Sequence, residues 1–324
     1  MDLLVLGGTE FVGRAVVDEA VARGWGVTVF HRGRHPAPEG VEVRTGDREG
    51  DLAALRTGSW DAVVDTWSGA PAAVAAAAEV LGDRVGGYAY VSSRSVYAHP
   101  TPAGADEDAP LVAGGDGDYA AAKRGGEIAA EEAYGERALL VRAGLILGPG
   151  ENVGRLPWWL NRIARGGEVP APGPRELPVQ YVDARDLANW TLDALAARRG
   201  GPFNLVGEAG RTTMGGLLDA CLRVTGGDAV LRWVPPEVIE AAGIEPWTQL
   251  PVWVPPGELH DTMHSTDVGR ALATGLRCRP VEETVADTWE WLCGRGGVAP
   301  QRPDRPAVGL DAELERRLLA RLAE

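Results

Sequence analysis

The sequence predicts an α/β fold, a doubly wound parallel sheet followed by a smaller, discontinuous lobe toward the C-terminus. Three observations carry that expectation. Short apolar runs alternate with helix-patterned stretches as far as residue 206. A glycine turn separates the first run from the first helix. Two Trp- and Pro-rich stretches, 156–173 and 212–256, then break the rhythm.

The apolar run 3–6 reads as a strand, Gly7-Gly8-Thr9-Glu10-Phe11-Val12-Gly13 as a turn, and 14–23 as a helix with Ala15, Val16, Ala20 and Val21 at helical spacing. The next run, 26–30, is β-branched and ends in His31-Arg32-Gly33-Arg34, so a βαβ unit closes within about 30 residues. Such a unit pairs its strands in parallel, the Rossmann-type arrangement. Further strands are expected at 41–44, 62–65, 87–92 and 138–142, with helical stretches at 51–55, 70–81 and 118–134. Later strands are expected at 178–182 and 201–206. This divides the chain into a dinucleotide-binding domain (1–150 and 176–206) and a substrate-side lobe (151–175 and 207–293). Residues 294–309, rich in Gly, Pro and Arg, read as a linker to a docking helix over 311–322 that places Leu314, Leu318, Leu319 and Leu322 on one face.

At 324 residues, 45% apolar and 24% charged, the chain is an ordinary globular protein, and disorder or collagen is excluded. A net charge of −14 argues against nucleic acid or an anionic membrane as the main partner. Its longest apolar runs, 3–6 and 72–78, fall far short of the roughly 20 residues that span a bilayer. Asp2 stands where a signal peptide would carry positive charge, so a cytoplasmic location is expected. Cys221, Cys278 and Cys293 are scattered and odd in number, which suits reduced structural thiols. His99, His260 and His264 lack partners at ligand spacing, and no metal is expected. The tryptophans at 158–159 and 233–253 suit core filling better than a substrate pocket.

The chemistry lies in a few residues. Glycines let the backbone turn tightly and approach a pyrophosphate, which then sits at the positive end of the following helix. An acid at the end of the second strand would hold ribose hydroxyls, whereas arginine would hold a 2′-phosphate. This strand ends in His31, Arg32 and Arg34 without an acid, so NADP(H) is favoured and NAD(H) is the alternative. Of 32 basic residues 31 are Arg, and the lone lysine, Lys123, therefore asks for a chemical reason. Tyr119 stands four residues before it, on the same helix face. A tyrosine is a poor acid or base at neutral pH until a neighbouring cation stabilises its phenolate, and Lys123 can supply that charge. Ser93, at the end of a predicted strand, would hydrogen-bond the substrate oxygen on which charge develops.

Together these segments resemble the extended short-chain dehydrogenases/reductases, also called the NAD-dependent epimerase/dehydratase family. The likeness runs from residue 1 to about residue 292 and rests on the 7–13 turn, Gly46-Asp47-Arg48, Val91-Ser92-Ser93-Arg94-Ser95-Val96-Tyr97, Tyr119/Lys123 with Glu127, and Val141-Arg142 leading to Gly148-Pro149. It implies that Gly7, Gly8, Thr9, Glu10, Phe11, Val12 and Gly13 form the pyrophosphate turn. Asp47 and Arg48 would flank the adenine, and Thr66, Trp67 and Ser68 would line the dinucleotide. Ser93, Tyr119 and Lys123 are the implied catalytic set, with Lys123 also donating to ribose hydroxyls. The resemblance also allows a homodimer through helices next to the Tyr/Lys helix.

Two departures are informative. Glu10 replaces the middle glycine of the usual G-x-x-G-x-x-G turn, making it bulkier and more acidic. Arg94-Ser95 stands where the family's sugar-nucleotide dehydratases carry an Asp-Glu pair, which speaks against dehydration. The leading expectation is an NAD(P)-dependent oxidoreductase acting on a small-molecule carbonyl or secondary alcohol. The alternative is a nucleotide-sugar epimerase using the same three residues. A non-catalytic dinucleotide sensor or RNA-associated protein conflicts with the intact Ser93/Tyr119/Lys123 set and with the acidic charge.

Overall fold

The computed structural model describes residues 1–322. The first run forms strand β1 (Asp2–Leu6), whose Leu3, Leu4, Val5 and Leu6 are all buried, as a central parallel strand covered on both faces requires. Helix α1 (Phe11–Ala22) buries Gly13, Val16, Val17 and Ala20, and β2 (Gly26–His31) and β3 (Glu42–Thr45) follow. The rhythm continues through β4 (Trp60–Asp65), α2 (Pro71–Leu81), β5 (Val85–Ser93), α3 (Tyr119–Tyr134) and β6 (Ala138–Ala143). Then come β7 (Leu145–Leu147), α4 (Arg155–Ala164), β8 (Glu168–Pro172), β9 (Tyr181–Asp183), α5 (Ala184–Ala196) and β10 (Gly201–Leu205). Seven of these strands make one parallel sheet in the order β10-β6-β5-β4-β1-β2-β3. The order reverses between β1 and β4, the switch point at which open α/β sheets bind ligands beyond the carboxyl ends of their strands.

The rest of the chain adds α6 (Met214–Thr225), β11 (Val230–Val234) paired with β8, α7 (Pro236–Ala241), the short pair β12 (Pro246–Trp247) and β13 (Leu250–Pro251), α8 (Glu258–His264), α9 (Gly269–Ala273), α10 (Val281–Cys293) and α11 (Ala312–Leu322). Most of these elements pack around a second core holding Leu156, Trp159, Leu217 and Trp253. Trp159 and Trp253 fill that core, and their indole N–H groups donate to Pro251 O (2.8 Å) and Gly173 O (2.9 Å), as buried tryptophans require. Among the described residues no helix is long and apolar enough to cross a membrane.

Three expectations change. The helical stretch at 51–55 is only a 3₁₀ turn over Ala53–Leu55, too short to repay the cost of nucleating an α-helix. The strand expected at 178–182 begins at Tyr181 and pairs with β7 outside the main sheet. Its first residues are already committed, the Val179 N–H to Thr212 O and the Gln180 N–H to His264 Nδ1. The segment 294–309 is a strap held across the molecule. Asn161 Nδ2 donates to Gly297 O (2.9 Å), the Arg302 N–H to Asn152 O (3.0 Å) and the Gly309 N–H to Thr248 O (2.8 Å). Helix α11 anchors its far end, with Leu318 fully buried, Leu314 and Leu322 against the second core, and Arg162 Nε paired to Glu315 (2.8 Å).

Candidate active site

The glycine turn joins the end of β1 to α1. Gly7 (φ 120°) and Gly8 (φ 91°) occupy the left-handed region, and an added Cβ on Gly7 would lie 2.3 Å from Thr66 Oγ1. A Cβ on Gly13 would lie 2.6 Å from the Gly8 nitrogen, so the helix packs directly on the turn. Glu10 stands at the N-cap of α1 without making a side-chain cap, and its carboxylate lies 3.6 Å from His35 Nε2. The first N–H groups of α1 therefore have no side-chain partner and are free for an anion. Phe11 opens the helix at φ 34°, a strained value for a residue with a side chain. Thr9 and Val12 complete the turn, half-buried. This turn, whose close packing side chains on the three glycines would break, leaves backbone N–H groups positioned for a dinucleotide pyrophosphate.

At the end of β2, Arg32 and Arg34 are exposed and have no ion pair among the described residues. His31 Nδ1 accepts the Gly33 N–H (3.1 Å), and its partial burial together with nearby His35 lowers its pKa. Asp47 closes a tight turn by accepting the Glu49 N–H (3.1 Å). Arg48 departs from the role that the resemblance implies. Its guanidinium is buried and uses Nη1 and Nη2 on Asp65 Oδ1 (2.7 Å) and Oδ2 (2.8 Å), with a further bond to Ala73 O (3.0 Å). With the carboxylate fully buried beside it, Arg48 supports the turn after β4 and is not free to flank an adenine. It also lies 5.4 Å beneath the Trp67 ring, while the Trp67 N–H donates to Asp65 Oδ1 (2.9 Å). Thr66 Oγ1 bonds back to Leu6 O (3.0 Å), and Ser68 Oγ accepts from Arg302 Nη2 (3.4 Å).

Helix α3 begins at Tyr119 because Asp118 caps it, accepting the Ala121 N–H at 3.0 Å. Tyr119 is 40% exposed, whereas Lys123, one turn on, is buried. The Lys123 ammonium donates to Trp67 O (2.7 Å) and Val91 O (2.6 Å) and lies 4.8 Å from the Tyr90 ring centroid. It thus spans the ends of β4 and β5, beside the switch point. An ammonium carries three donors, so one is left for a ligand. Burial pushes its pKa down to about 7, against the pull of Asp65 and Glu127, and Arg302 and Arg305 push the same way as burial. Ser93 ends β5 two residues beyond Val91, and its Oγ accepts the Ser95 N–H (3.1 Å).

A second group of residues holds α3 in place. Glu127, fully buried, accepts from Ser92 Oγ (2.7 Å), Arg142 Nε (2.9 Å) and Arg124 Nη1 (2.9 Å). Arg142 reaches Tyr97 Oη (3.2 Å), and Tyr97 donates to Asn204 Oδ1 (2.6 Å). The spacing of Glu127 from Lys123 marks it in the sequence, but its partners Ser92 and Arg142 lie on β5 and β6 and become visible only in the fold. Arg94 is likewise structural, donating to Thr262 O (2.7 Å) and Met263 O (2.9 Å). Sequence reasoning missed the strap arginines, Arg302 and Arg305, whose one trace is the Arg content of 294–309.

The sequence profile of the NAD dependent epimerase/dehydratase family matches residues 3–206. No curated protein matches the chain. Among solved structures, UDP-glucuronic acid 4-epimerase from Bacillus cereus, in complex with NAD, is 14% identical with a TM-score of 0.67, covering 92% of this chain and 99% of that one. UDP-glucose 4-epimerase from Thermotoga maritima, with UDP-glucose, is 21% identical with a TM-score of 0.64, covering 91% and 99%. The dTDP-glucose 4,6-dehydratase of Streptomyces venezuelae, with NAD bound, is 21% identical with a TM-score of 0.64, covering 92% and 98%. At these identities the likeness is one of fold.

Proposed function

The chain belongs to the NAD dependent epimerase/dehydratase family, and on that premise we propose that it moves hydride between a nicotinamide dinucleotide and a carbinol or carbonyl carbon, with Ser93, Tyr119 and Lys123 at the reacting centre. The observation that carries this reading is the placement of Lys123. The only lysine of the chain is buried where β4 and β5 end, on the helix face of Tyr119, with its pKa lowered to about 7.

The residues at the switch point fit the dinucleotide. Gly7, Gly8, Gly13 and the open N-terminus of α1 would hold its pyrophosphate, Thr66, Trp67 and Ser68 would line it, and Lys123 would donate to its ribose. Its nicotinamide supplies the hydride acceptor or donor. In the oxidation direction the carbinol C–H bond breaks with its electron pair, the hydroxyl proton passes to the Tyr119 oxygen, and a carbonyl forms. Lys123 favours the phenolate that takes that proton. Ser93 holds the substrate oxygen as its charge changes.

The same chemistry serves an epimerase, in which hydride returns to the opposite face of the carbon it left. The UDP-sugar epimerases among the similar structures favour testing nucleotide sugars first. Arg32 and Arg34, without an ion pair among the described residues, support a 2′-phosphate on the cofactor, while the similar complexes hold NAD. Native mass spectrometry followed by titration with NADH and NADPH separates these readings. Retained NAD supports the epimerase, and an empty protein that prefers NADPH supports a reductase. Replacing Tyr119 by Phe should lower turnover at least 100-fold, within the range of general acid–base catalysis, and leave dinucleotide affinity unchanged. Undiminished turnover in that variant would remove Tyr119 from the mechanism.

A further inference from the structure

The strap brings Arg302, Asp304 and Arg305 to the region of Tyr119, with Asp304 shared between the two arginines. Arg305 Cζ lies 5.1 Å from the ring centroid of Tyr119, and its guanidinium makes no hydrogen bond among the described residues. The nearest carboxylate, Asp304, is 3.9 Å away and is already bound by Arg302 Nε (3.0 Å) and Nη2 (2.6 Å). Arg155 stands at the start of α4, next to Gly154, which the strap crosses. Its Cζ lies 5.0 Å from the Trp247 ring, its Nε is buried without a partner, and its guanidinium makes no hydrogen bond among the described residues. The neighbouring Glu151 uses both carboxylate oxygens on the N–H groups of Arg155 and Leu156 (2.7 and 3.1 Å). The strap passes directly over this corner, where a Cβ on Gly154 would lie 2.3 Å from Gln301 Nε2.

Two guanidiniums without hydrogen-bonded partners among the described residues, offset only by Asp304 and Glu151, which are bonded elsewhere, are costly to hold together. Burial above all lowers the pKa of Arg155, Glu151 opposes it, and the charge of Arg305 lowers it further while Tyr119 raises it. In a chain with a net charge of −14, such a cluster is not a by-product of a basic surface. Arginine is suited to receive a carboxylate or phosphate through its planar fork.

We propose that Arg155 and Arg305 form a specificity-determining anion site, which binds a carboxylate or phosphate on the substrate beside the Tyr119 hydroxyl. The assignment rests on the hydride-transfer reading above, because it takes Tyr119 as the reacting end of the cleft. It gives the strap a function. Only a chain whose C-terminal segment is docked presents both arginines, so the substrate carries a negative charge near its reacting carbon.

The test titrates inorganic phosphate calorimetrically into the full-length protein at constant ionic strength, with and without saturating NAD. Wild type, Arg305→Gln and Arg155→Gln are compared, and NAD affinity is measured separately for each. Phosphate should bind the NAD-saturated wild type, and each variant should lose at least tenfold in phosphate affinity while NAD affinity stays within twofold. Arg305 is half-buried and its side chain makes no hydrogen bond among the described residues, so its variant keeps the test open if Arg155→Gln fails to fold. Unchanged phosphate affinity in Arg305→Gln overturns the proposal. So does competition between NAD and phosphate, or a parallel loss of NAD affinity, since either would assign the arginines to the cofactor's own phosphates. If wild type binds neither NAD nor NADP, the hydride-transfer reading fails by itself, and the variant comparison is read on the nucleotide-free protein; if it binds NADP alone, NADP replaces NAD throughout the test.

Discussion

Replacing Lys123 by Met removes a charge that the fold holds at a cost. The Lys123 pKa falls from 10.5 to about 7 because burial outweighs the attraction of Asp65 and Glu127. Its folded-state value is thus depressed. Above pH 10.5 the amine is neutral in both folded and unfolded chains and carries no penalty. As pH falls from 10.5 toward 7, the unfolded chain takes up a proton that the folded chain resists, and the wild type loses about 1.4 kcal/mol per pH unit. Between pH 10 and pH 7 the loss sums to a few kcal/mol, on the order of 3–4. The variant has no such group. It does leave Trp67 O and Val91 O without a donor, at about 1–3 kcal/mol each, but that cost does not vary with pH. Urea unfolding of both nucleotide-free proteins at pH 7, 8, 9 and 10 measures the difference directly. The stability of Lys123→Met relative to wild type should rise steadily as pH falls. A difference constant to within about 0.5 kcal/mol across that range would refute the claim that Lys123 is a strained, titrating cation.

Three further outcomes follow from the same geometry. Gly13→Ala should weaken dinucleotide binding at least tenfold by fluorescence titration, because the new Cβ meets the Gly8 backbone at 2.6 Å and no flexible side chain can give way. Glu127→Ala leaves Arg142, 2% exposed, without its carboxylate and should cost about 3–5 kcal/mol in urea unfolding; a loss under about 1 kcal/mol would show that α3 is held by packing alone. Leu318→Ala should cost about 2–5 kcal/mol if α11 unfolds with the rest. Amide exchange over 297–309 should quicken in that variant, and unchanged exchange there would mean the strap is held without α11.

Much of the fold was legible because its signals are local. The apolar runs of β1 and β2, the glycines between β1 and α1, and the Tyr119/Lys123 spacing each depend on neighbours in sequence, and periodicity reports them directly. Expectations failed where a distant segment competed for the same backbone. The 178–182 strand lost its first residues to Thr212 and His264. Arg48, next to Asp47 in a family motif, was drawn to Asp65, a pairing that no spacing rule anticipates.

The sequence by itself determined the layered α/β architecture, the glycine cradle, and the chemical types available for proton and hydride work, because each follows from backbone geometry and side-chain chemistry. Only the tertiary structure decided how those groups are tuned. It buried Lys123 between two strand ends and lowered its pKa, locked α3 through Glu127, and turned a supposed linker into a strap that brings Arg305 onto Tyr119. The physical reason is that desolvation and charge coupling depend on distance and burial, which are set when remote segments pack together.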